Sequence, residues 1–193
     1  MSAGGPARDG KPTAPECPAR DGRLAAPDGK LLRRAFGSFA TGVTVLTVGG
    51  DTPHGMTANS FTSVSLDPPL VLVCVGRSTV MHQIMAASGS FGVSVLAAHQ
   101  EAVASHFANR LRPLGLAQFD AVDWLPGRVT GAPLIDGALA HFECELWQSY
   151  DGGDHSIFLG NLVAMDGPAE QDALLFFGGR FRQIYPERNE MTA

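Results

Sequence analysis

The chain has 193 residues, of which 45% are hydrophobic and 17% are charged. This length and composition fit one folded domain with a tail, and they exclude a chain that is disordered throughout. Asp and Glu number 19 against 14 Lys and Arg, which gives a formal net charge of −5. A protein that binds nucleic acid generally through a cationic face is therefore also excluded.

Residues 1–30 differ in composition from everything that follows. The sequence PARDG occurs at 6–10 and again at 18–22, and large apolar residues are almost absent from the segment. Such a segment cannot bury enough surface to offset the entropy lost on ordering. We therefore predict a disordered tail at 1–30, whose removal leaves activity intact, and a folded domain at 31–193.

The first half of the domain predicts a helix followed by several strands. Apolar residues at 32, 35, 36 and 39 have helical spacing, which predicts a helix over 31–40 that ends before Gly42. Ser78 is the expected N-cap of a second helix through Ile84, and residues 100–107 predict a third. β-branched and apolar runs predict strands at 43–48, 61–64, 70–75 and 91–96, with turns at 49–51 and 67–69.

The second half predicts strands again, after a long irregular segment. Residues 108–137 mix Pro, Gly and scattered apolar residues, and a loop of that length is typically functional or packs across a partner. Strands are predicted at 138–150, 156–165, 174–177 and 180–184. Because the strands do not alternate regularly with helices, the pattern favours a mainly β fold, an antiparallel barrel with short helices around it.

Residues 55–65, GMTANSFTSVS, form the densest polar run of the chain. Ser, Thr and Asn side chains held between strands can offer convergent donors to a phosphate or to the edge of a heterocycle. A half-exposed strand whose hydroxyls face water explains the same pattern equally well. The residues alone leave both interpretations open.

Two further segments could face a ligand. Residues 74–79 run from a buried strand into a helix N-terminus, where Arg77, Ser78 and Thr79 could add donors for an anion. Residues 152–155, GGDH, form a turn that would expose an imidazole at the rim of the barrel. A capped helix and an ordinary hairpin are the simpler explanations of these two segments.

Other kinds of site have no support in the sequence. The three cysteines include no C-x-x-C pair and the six histidines include no i, i+4 pair, so neither a disulfide framework nor a metal site is expected. Rossmann, Walker and G-x-S-x-G motifs are missing. The apolar run at 70–75 is too short to cross a bilayer and no signal peptide is recognisable, so we expect a cytoplasmic protein.

Three collinear motifs resemble the short-chain NAD(P)H:flavin reductase family. FGSFATGVTV at 36–45 is similar to its opening helix and strand, and GMTANSFTSVSLDPP at 55–69 to its flavin-binding signature. Gly153-Asp154-His155 followed by Gly160 is similar to a G-D-H…G motif associated with the nicotinamide cofactor. The resemblance extends over about residues 31–185.

This resemblance implies a fold and a set of site residues. The fold would be an FMN-binding split barrel, a six-stranded antiparallel Greek-key barrel that works as a homodimer. Flavin contacts are implied for Thr57, Ala58, Asn59, Ser60, Cys74, Val75, Ser78, Thr79, Ser105, His106 and Phe107. Contacts with the nicotinamide cofactor are implied for His155, as the catalytic residue, and for Phe177, Gly178, Gly179 and Arg180.

Two positions depart from the family pattern. Ser94 replaces the more usual Asn, and His106 stands where the family often has Arg. The second departure weakens the case for a permanent cation at position 106.

The activity implied by the resemblance is reduction of FMN, or FAD, by NADH or NADPH, with the reduced flavin passed to a partner flavin-dependent monooxygenase. Hydride transfer between two stacked rings needs alignment rather than a protein base, which agrees with the missing catalytic triad. The alternatives are a non-catalytic flavin or haem binder on the same barrel, and an FMN-dependent oxidase. A homodimer is also expected because the segment 108–137 and the barrel edges need covering.

Overall fold

Antiparallel strands dominate the computed structural model, which describes residues 28–167 and 169–184. The helices are α1 (Gly29–Phe36), α2 (Val80–Ser88) and α3 (Glu101–Ala108), with 3-10 turns at Ala98–Gln100 and Gly115–Phe119. The strands are β1 (Thr41–Gly42), β2 (Thr44–Val48), β3 (His54–Ala58), β4 (Thr62–Leu66), β5 (Pro69–Gly76), β6 (Ser90–Val95), β7 (Trp124–Pro126), β8 (Pro133–Ile135), β9 (Ala140–Gly152), β10 (His155–Asp166), β11 (Leu174–Phe177) and β12 (Arg180–Gln183). The predicted mainly β fold is confirmed.

The main sheet has seven strands in the order β3-β2-β6-β9-β10-β5-β4, all antiparallel. β3 and β4 are at opposite edges, yet only residues 59–61 connect them. Four residue steps reach at most ~14 Å, so the two edges must approach each other and the sheet must roll up. The result is a barrel with a seam between β3 and β4.

The expected barrel has six strands, and the sheet has seven. The additional strand is β3, which begins at His54 and includes the first four residues of the polar run at 55–65. The sequence places that run between strands, whereas the structure pairs it with β2 from Val48↔His54 to Thr44↔Ala58. The run therefore contributes to two strands, β3, which is largely buried, and β4, which is largely exposed, and its role toward a ligand depends on the site.

Two apolar clusters lie on opposite sides of β2. Leu46 and Val48 belong to the barrel interior with Phe91 and Phe158, whereas Val45 belongs to the outer cluster. Because both faces of β2 are covered, its burial is continuous over all five residues. β2 therefore lacks the alternation of a strand that faces water.

Helix α2 packs on the barrel interior, and its N-terminus lies at the seam. Met81 and Met85, one helical turn apart, are fully buried in the barrel cluster. The N-cap is Thr79, whose side chain accepts from the backbone N–H of His82, so the expected cap at Ser78 is wrong by one residue. Both residues are good caps, and the geometry selects the second, which leaves the Ser78 side chain exposed.

The long segment expected to be irregular contains regular structure. Within 108–137 the chain forms a 3-10 turn at Gly115–Phe119 and the hairpin of β7 and β8. Phe119 and Ile135 are buried in the outer cluster with Phe107. The segment therefore covers the outside of the barrel within this chain.

The N-terminal helix is shorter than predicted. α1 ends at Phe36 rather than near residue 40, and the N–H of Gly37 donates to the carbonyls of Arg33 and Ala35. Of the tail predicted at 1–30, residues 1–27 lie outside the described residues. Among the helices in the described ranges, none has the length and apolar character needed to cross a membrane.

Candidate active site

A cleft of about 690 Å³ lies along the seam, and we call it the main cleft. It is lined by Arg33, Met56, Thr57, Ala58, Asn59, Ser60, Cys74, Gly76, Arg77, Ser78, Thr79, Arg110, Asp154 and His155. A second cavity of about 320 Å³, here the side chamber, shares five of these residues and adds His54, Val80, Phe107, Ala108, Arg112 and Leu114. The structure thus brings most of the predicted ligand residues together.

Two hydroxyls of the polar run, those of Thr57 and Ser60, are used inside the protein. Thr57 Oγ1 donates to the carbonyl of Ala104 in α3 at 2.7 Å. Ser60 Oγ donates to the Cys74 carbonyl at 2.9 Å and accepts from the Cys74 N–H at 3.0 Å, which joins the two sides of the seam. Residues 56–60 with Cys74, here called the seam wall, therefore present a rigid surface whose side-chain donors are mostly satisfied.

Cys74 and Val75 face different ways. Cys74 lines the main cleft, and burial raises the pKa of its thiol, which stays protonated at neutral pH. Val75 is fully buried in the barrel cluster and does not line the cleft. Adjacent strand residues point to opposite faces, so only one of this predicted pair can present its side chain to a ligand.

Three arginine side chains line the main cleft, and only one of them, Arg77, was named from the sequence. Arg33 of α1 and Arg110, just after α3, line it together with Arg77. All three side chains are exposed, and in a chain of net charge −5 this concentration favours a ligand with phosphate groups. Arg110, four residues beyond position 106, places a permanent cation at the cleft.

His155 is held at one end of the cleft by the hairpin between β9 and β10. Its Nδ1 lies 2.8 Å from Asp154 Oδ1, and that hydrogen bond is the main reason why the pKa of Asp154 is lowered. An ionised carboxylate only accepts, so Nδ1 carries the proton. In the neutral imidazole Nε2 is then an acceptor, and it lies over Gly76, 3.6 Å from where a Cβ would stand.

Arg77 fixes this hairpin to the end of β5. Its backbone N–H donates to the Asp154 carbonyl at 3.0 Å and its Nε to the His155 carbonyl at 3.3 Å. Its terminal nitrogen lies 2.9 Å from Asp151 Oδ1, which also accepts from the Gly153 N–H. We call residues 151–155 the rim hairpin; besides its strand pairing, these three contacts of Arg77 hold it.

The side chamber rests on a buried polar network. Gln118 accepts from the Gly55 N–H at 2.8 Å and donates to the Pro53 carbonyl, also at 2.8 Å. Arg112 donates to the carbonyls of Gly55 and Asn109. Burial, and after it the Arg112 guanidinium, lowers the pKa of His54 to about 4. His54 is therefore neutral at physiological pH, and Arg112 is the charge in this wall.

Some of the predicted residues lie elsewhere. Ser105 is exposed on α3 and lines neither cavity, and His106 pairs with the Gln118 carbonyl at 2.7 Å. Phe107 contributes to the side chamber. Residues 177–180 form the turn between β11 and β12. The Gly178 N–H donates to the carbonyl of Gly37, at the C-terminal end of α1. None of these four residues lines the main cleft or the side chamber.

Gly160 of the G-D-H…G motif is a barrel-interior residue. A Cβ there would lie 2.5 Å from the Phe91 ring and 2.8 Å from the Cys144 Cβ. This position therefore requires glycine for packing, and no contact with either cavity involves it.

The site fits the flavin and nicotinamide that the resemblance implies. Its volume lies in the range of about 300–1,000 Å³ of small-molecule sites, and its arginines match phosphate groups. The described ranges contain no cluster of three His, Cys, Asp or Glu residues able to hold a metal ion. The site is a groove along the seam with the exposed imidazole of His155 at one end.

Comparison with known proteins agrees with this geometry. Residues 36–185 match the model of the flavin reductase like domain. The NADH-dependent FAD reductase of Streptomyces globisporus is 58% identical over 162 residues, covering 84% of this chain and 89% of that protein. The flavin-dependent monooxygenase reductase subunit HsaB of Rhodococcus jostii is 35% identical, covering 83% and 80%. BorF, the flavin reductase component of a bacterial two-component tryptophan halogenase, is 59% identical in its crystal structure, with a TM-score of 0.79 over 81% of this chain and 98% of that one.

Proposed function

The chain belongs to the family of flavin reductase like domains, and from this membership we propose that it reduces free flavin with NADH and releases the reduced flavin to a partner monooxygenase. The observation that carries the proposal is the arginine-lined cleft at the barrel seam with His155 at its end. Relatives described as NADH-dependent FAD reductase and as the reductase subunit of a monooxygenase support the two halves of the proposal.

The flavin ring system would lie against the seam wall. Residues 56–60 and Cys74 form a rigid surface there, held by the hydrogen bonds of Thr57 and Ser60. The phosphate end would pass Ser78 at the N-terminus of α2, where backbone N–H groups and the helix dipole favour an anion. Arg110 lies on the same side and adds a full charge.

The dihydronicotinamide would stack on the flavin beneath the rim hairpin. With its proton fixed on Nδ1 by Asp154, His155 offers Nε2 as an acceptor, which suits the amide N–H of the nicotinamide carboxamide. Arg77 fixes the hairpin, so it is a positioning residue. The turn at 177–180 contacts the C-terminal end of α1. The family pattern implies that this turn contributes to nicotinamide binding, and that role stays a prediction.

Hydride transfer from dihydronicotinamide to flavin is the chemistry that the two bound groups supply, and it needs no protein group to break the C–H bond. The chain contributes alignment, because holding the reacting atoms about 3–3.5 Å apart in the correct orientation accounts for much of the rate enhancement. The satisfied seam wall serves this purpose, since it holds its shape without a ligand. Arg33, Arg77 and Arg110 attract the anionic groups of both substrates.

A homodimer and a cytoplasmic location belong to the same proposal. Phe36, Phe39, Leu66, Trp147 and Tyr150 are large side chains at least half exposed in the single chain. Such a set favours a self-complementary interface. Light scattering at micromolar concentration should give twice the chain mass, and a fully active monomer would contradict the dimer.

The decisive experiment is to follow nicotinamide absorbance with purified protein. NADH, and in parallel NADPH, is mixed with catalytic protein and excess FMN or FAD. We expect flavin-dependent oxidation of NADH and a protein that is isolated largely colourless. Ligand binding without turnover would instead indicate a non-catalytic flavin or haem binder. A yellow protein that oxidises neither NADH nor NADPH would indicate an oxidase.

A further inference from the structure

Helix α1 stands beside the main cleft without contributing to the core. None of its eight residues is buried. Its C-terminal end is attached to the small sheet of β1, β11 and β12, because the carbonyl of Gly37 accepts from the N–H of Gly178 at 2.8 Å and β1, which follows, pairs with β11. The helix therefore adds little to the barrel, and its contribution lies in the side chains that it presents.

Arg33 is the residue that α1 places in the main cleft. Like Asp154 and His155, it lines the main cleft and does not line the side chamber. The hydrogen bond from His155 is the main cause of the lowered pKa of Asp154, and the charge of Arg33 adds to it. The Arg33 guanidinium therefore lies at the His155 end of the cleft, close enough to Asp154 to interact with it.

The Arg33 guanidinium is available to a ligand. Its side chain is exposed, and the ion pairs among the described residues use Arg77 and His155 instead. A guanidinium presents its N–H groups in a planar fork that matches two oxygens of a phosphate group. Arg34, the next residue, is also exposed but lines neither cavity. The two arginines share a helical turn and differ in whether they reach the cleft.

The two substrates would bring their phosphate groups to different parts of the cleft. The flavin phosphate would pass Ser78 at the N-terminus of α2, near Arg110, which lines both cavities. The nicotinamide ring would lie at His155, so the diphosphate joined to it through a ribose would leave the site from that end. The Asp154 carboxylate there repels a diphosphate, and the nearby charge of Arg33 offsets this repulsion.

We propose that Arg33 binds the diphosphate of NADH. This inference rests on the proposed function and deepens it, since it names a residue that holds the dinucleotide by its diphosphate and takes no part in hydride transfer. A hydride donor with the same ring and no phosphate should therefore not depend on Arg33. FAD also carries a diphosphate, and the experiment separates the two sources.

The test compares Arg33→Ala with Arg34→Ala as the matched control. Both residues are basic side chains in the last turn of α1, so both variants lose the same interaction with the helix dipole. Alanine favours a helix, and neither side chain is buried, so both proteins should fold. Each protein reduces FMN with NADH and, separately, with 1-benzyl-1,4-dihydronicotinamide, a donor without phosphate. Calorimetry measures binding of ADP-ribose to the FMN-saturated protein, and fluorescence titration measures binding of FAD and FMN.

We expect Arg33→Ala to raise the KM for NADH roughly tenfold, as for loss of hydrogen bonds to a charged group. An unchanged kcat would indicate that binding alone is lost. ADP-ribose should bind more weakly by a similar factor. The rate with the benzyl donor and the dissociation constants of FMN and FAD should stay within about twofold. Arg33→Lys keeps the charge without the fork and should lie between wild type and Arg33→Ala.

Four outcomes would overturn the proposal. An unchanged KM for NADH and unchanged ADP-ribose binding would leave Arg33 without a contact to the dinucleotide. An equal loss with the benzyl donor would mean that Arg33 acts on the rings. Weakened FAD binding would assign Arg33 to the flavin. Equal defects in Arg34→Ala would reduce the effect to net charge. In each case NADH-dependent reduction of FMN by the wild-type protein continues, so failure here is distinct from failure of the proposed function.

Discussion

The seam wall and the rim hairpin face the same cleft but are built in opposite ways. In the seam wall, Thr57 and Ser60 direct their hydroxyls into the protein, to α3 and to β5. In the rim hairpin, Asp151, Asp154 and His155 are exposed and are held by Arg77 and by one another. One side of the site is rigid because its polar groups are satisfied, and the other is held by exposed charges.

This difference indicates separate tasks for the two sides. A surface that stacks a ring must keep its shape, which internal hydrogen bonds achieve at low entropy cost on binding. A group that orients a second substrate must remain able to form a new hydrogen bond, which requires exposure. We therefore expect changes in the barrel and seam wall to reduce stability, and changes in the rim hairpin to affect kinetics with NADH.

The largest effect is expected at Gly160, which the motif associates with nicotinamide and the structure assigns to the barrel. Gly160→Ala would force a methyl group against Phe91 and Cys144, and overpacking at such a site costs up to about 3 kcal/mol. For a domain of this size that lowers Tm by roughly 6–12 °C, measurable by calorimetry. Gly42→Ala is the control, since its Cβ would meet no atom within 4 Å.

If Gly160→Ala kept wild-type stability but had a raised KM for NADH, the glycine would belong to the nicotinamide site and the division between the two regions would fail.

The next largest effect is expected at His155. Loss of one orienting hydrogen bond costs ~1–3 kcal/mol, which lowers kcat/KM for NADH by roughly tenfold to a hundredfold. His155→Asn keeps a polar side chain and should lose less than His155→Ala. The melting temperature should not change, because the side chain is exposed.

Flavin dissociation constants, measured on the same His155 variants, provide the contrast between regions. They should stay within twofold of wild type. A defect confined to flavin binding would show that the rim hairpin contacts the flavin rather than the nicotinamide.

Ser60→Ala tests the seam wall directly. The variant loses two hydrogen bonds across the seam and leaves the Cys74 N–H without its partner, which should cost about 1–2 kcal/mol of unfolding free energy. Flavin binding should weaken as well, because the wall loses its fixed shape. Denaturant unfolding measures the first effect and fluorescence titration the second.

Ser63→Ala is the matched control for Ser60, since Ser63 is exposed on the edge strand β4. Equal behaviour of the two variants would show that the seam does not depend on the Ser60 hydroxyl.

The sequence predicted six strands of the main sheet because each is a run of β-branched or apolar residues. It missed β3, which carries His54, Gly55 and Thr57 and is buried by elements far along the chain, notably Gln118. No local pattern reports such a partner 63 residues away. The N-cap was misplaced by one residue because Ser78 and Thr79 are both good caps and only the backbone path decides between them.

For the site, the motif residues of the seam wall and His155 line one cleft. They did not locate Arg33 and Arg110, because an arginine in a helix or loop has no sequence feature that distinguishes it from an ordinary surface residue. The motif residues Val75 and Gly160 lie in the barrel interior instead. A motif therefore records packing requirements along with ligand contacts, and only the structure separates them.

The smallest effect is expected from pH, through Asp151. The Gly153 N–H and the Arg77 guanidinium lower the pKa of Asp151 below its ordinary value near 3.9. Because the folded value is depressed, its contribution to holding the hairpin is fully present above the ordinary value and is lost as pH falls through the folded value. Hydrogen exchange at the Gly153 amide should therefore accelerate, relative to the intrinsic rate, only below about pH 4.

Asp151→Asn should abolish that acid transition and leave a modestly faster exchange at every pH, with a small rise in KM for NADH. Asp120→Asn is the control, because Asp120 is exposed and lies far from Arg77 in the sequence, on the segment that covers the outer cluster. An exposed ion pair contributes little to global stability, so Tm should not change. A large fall in Tm would show that the Arg77–Asp151 contact supports the barrel itself, and the rim hairpin would then be part of the rigid frame.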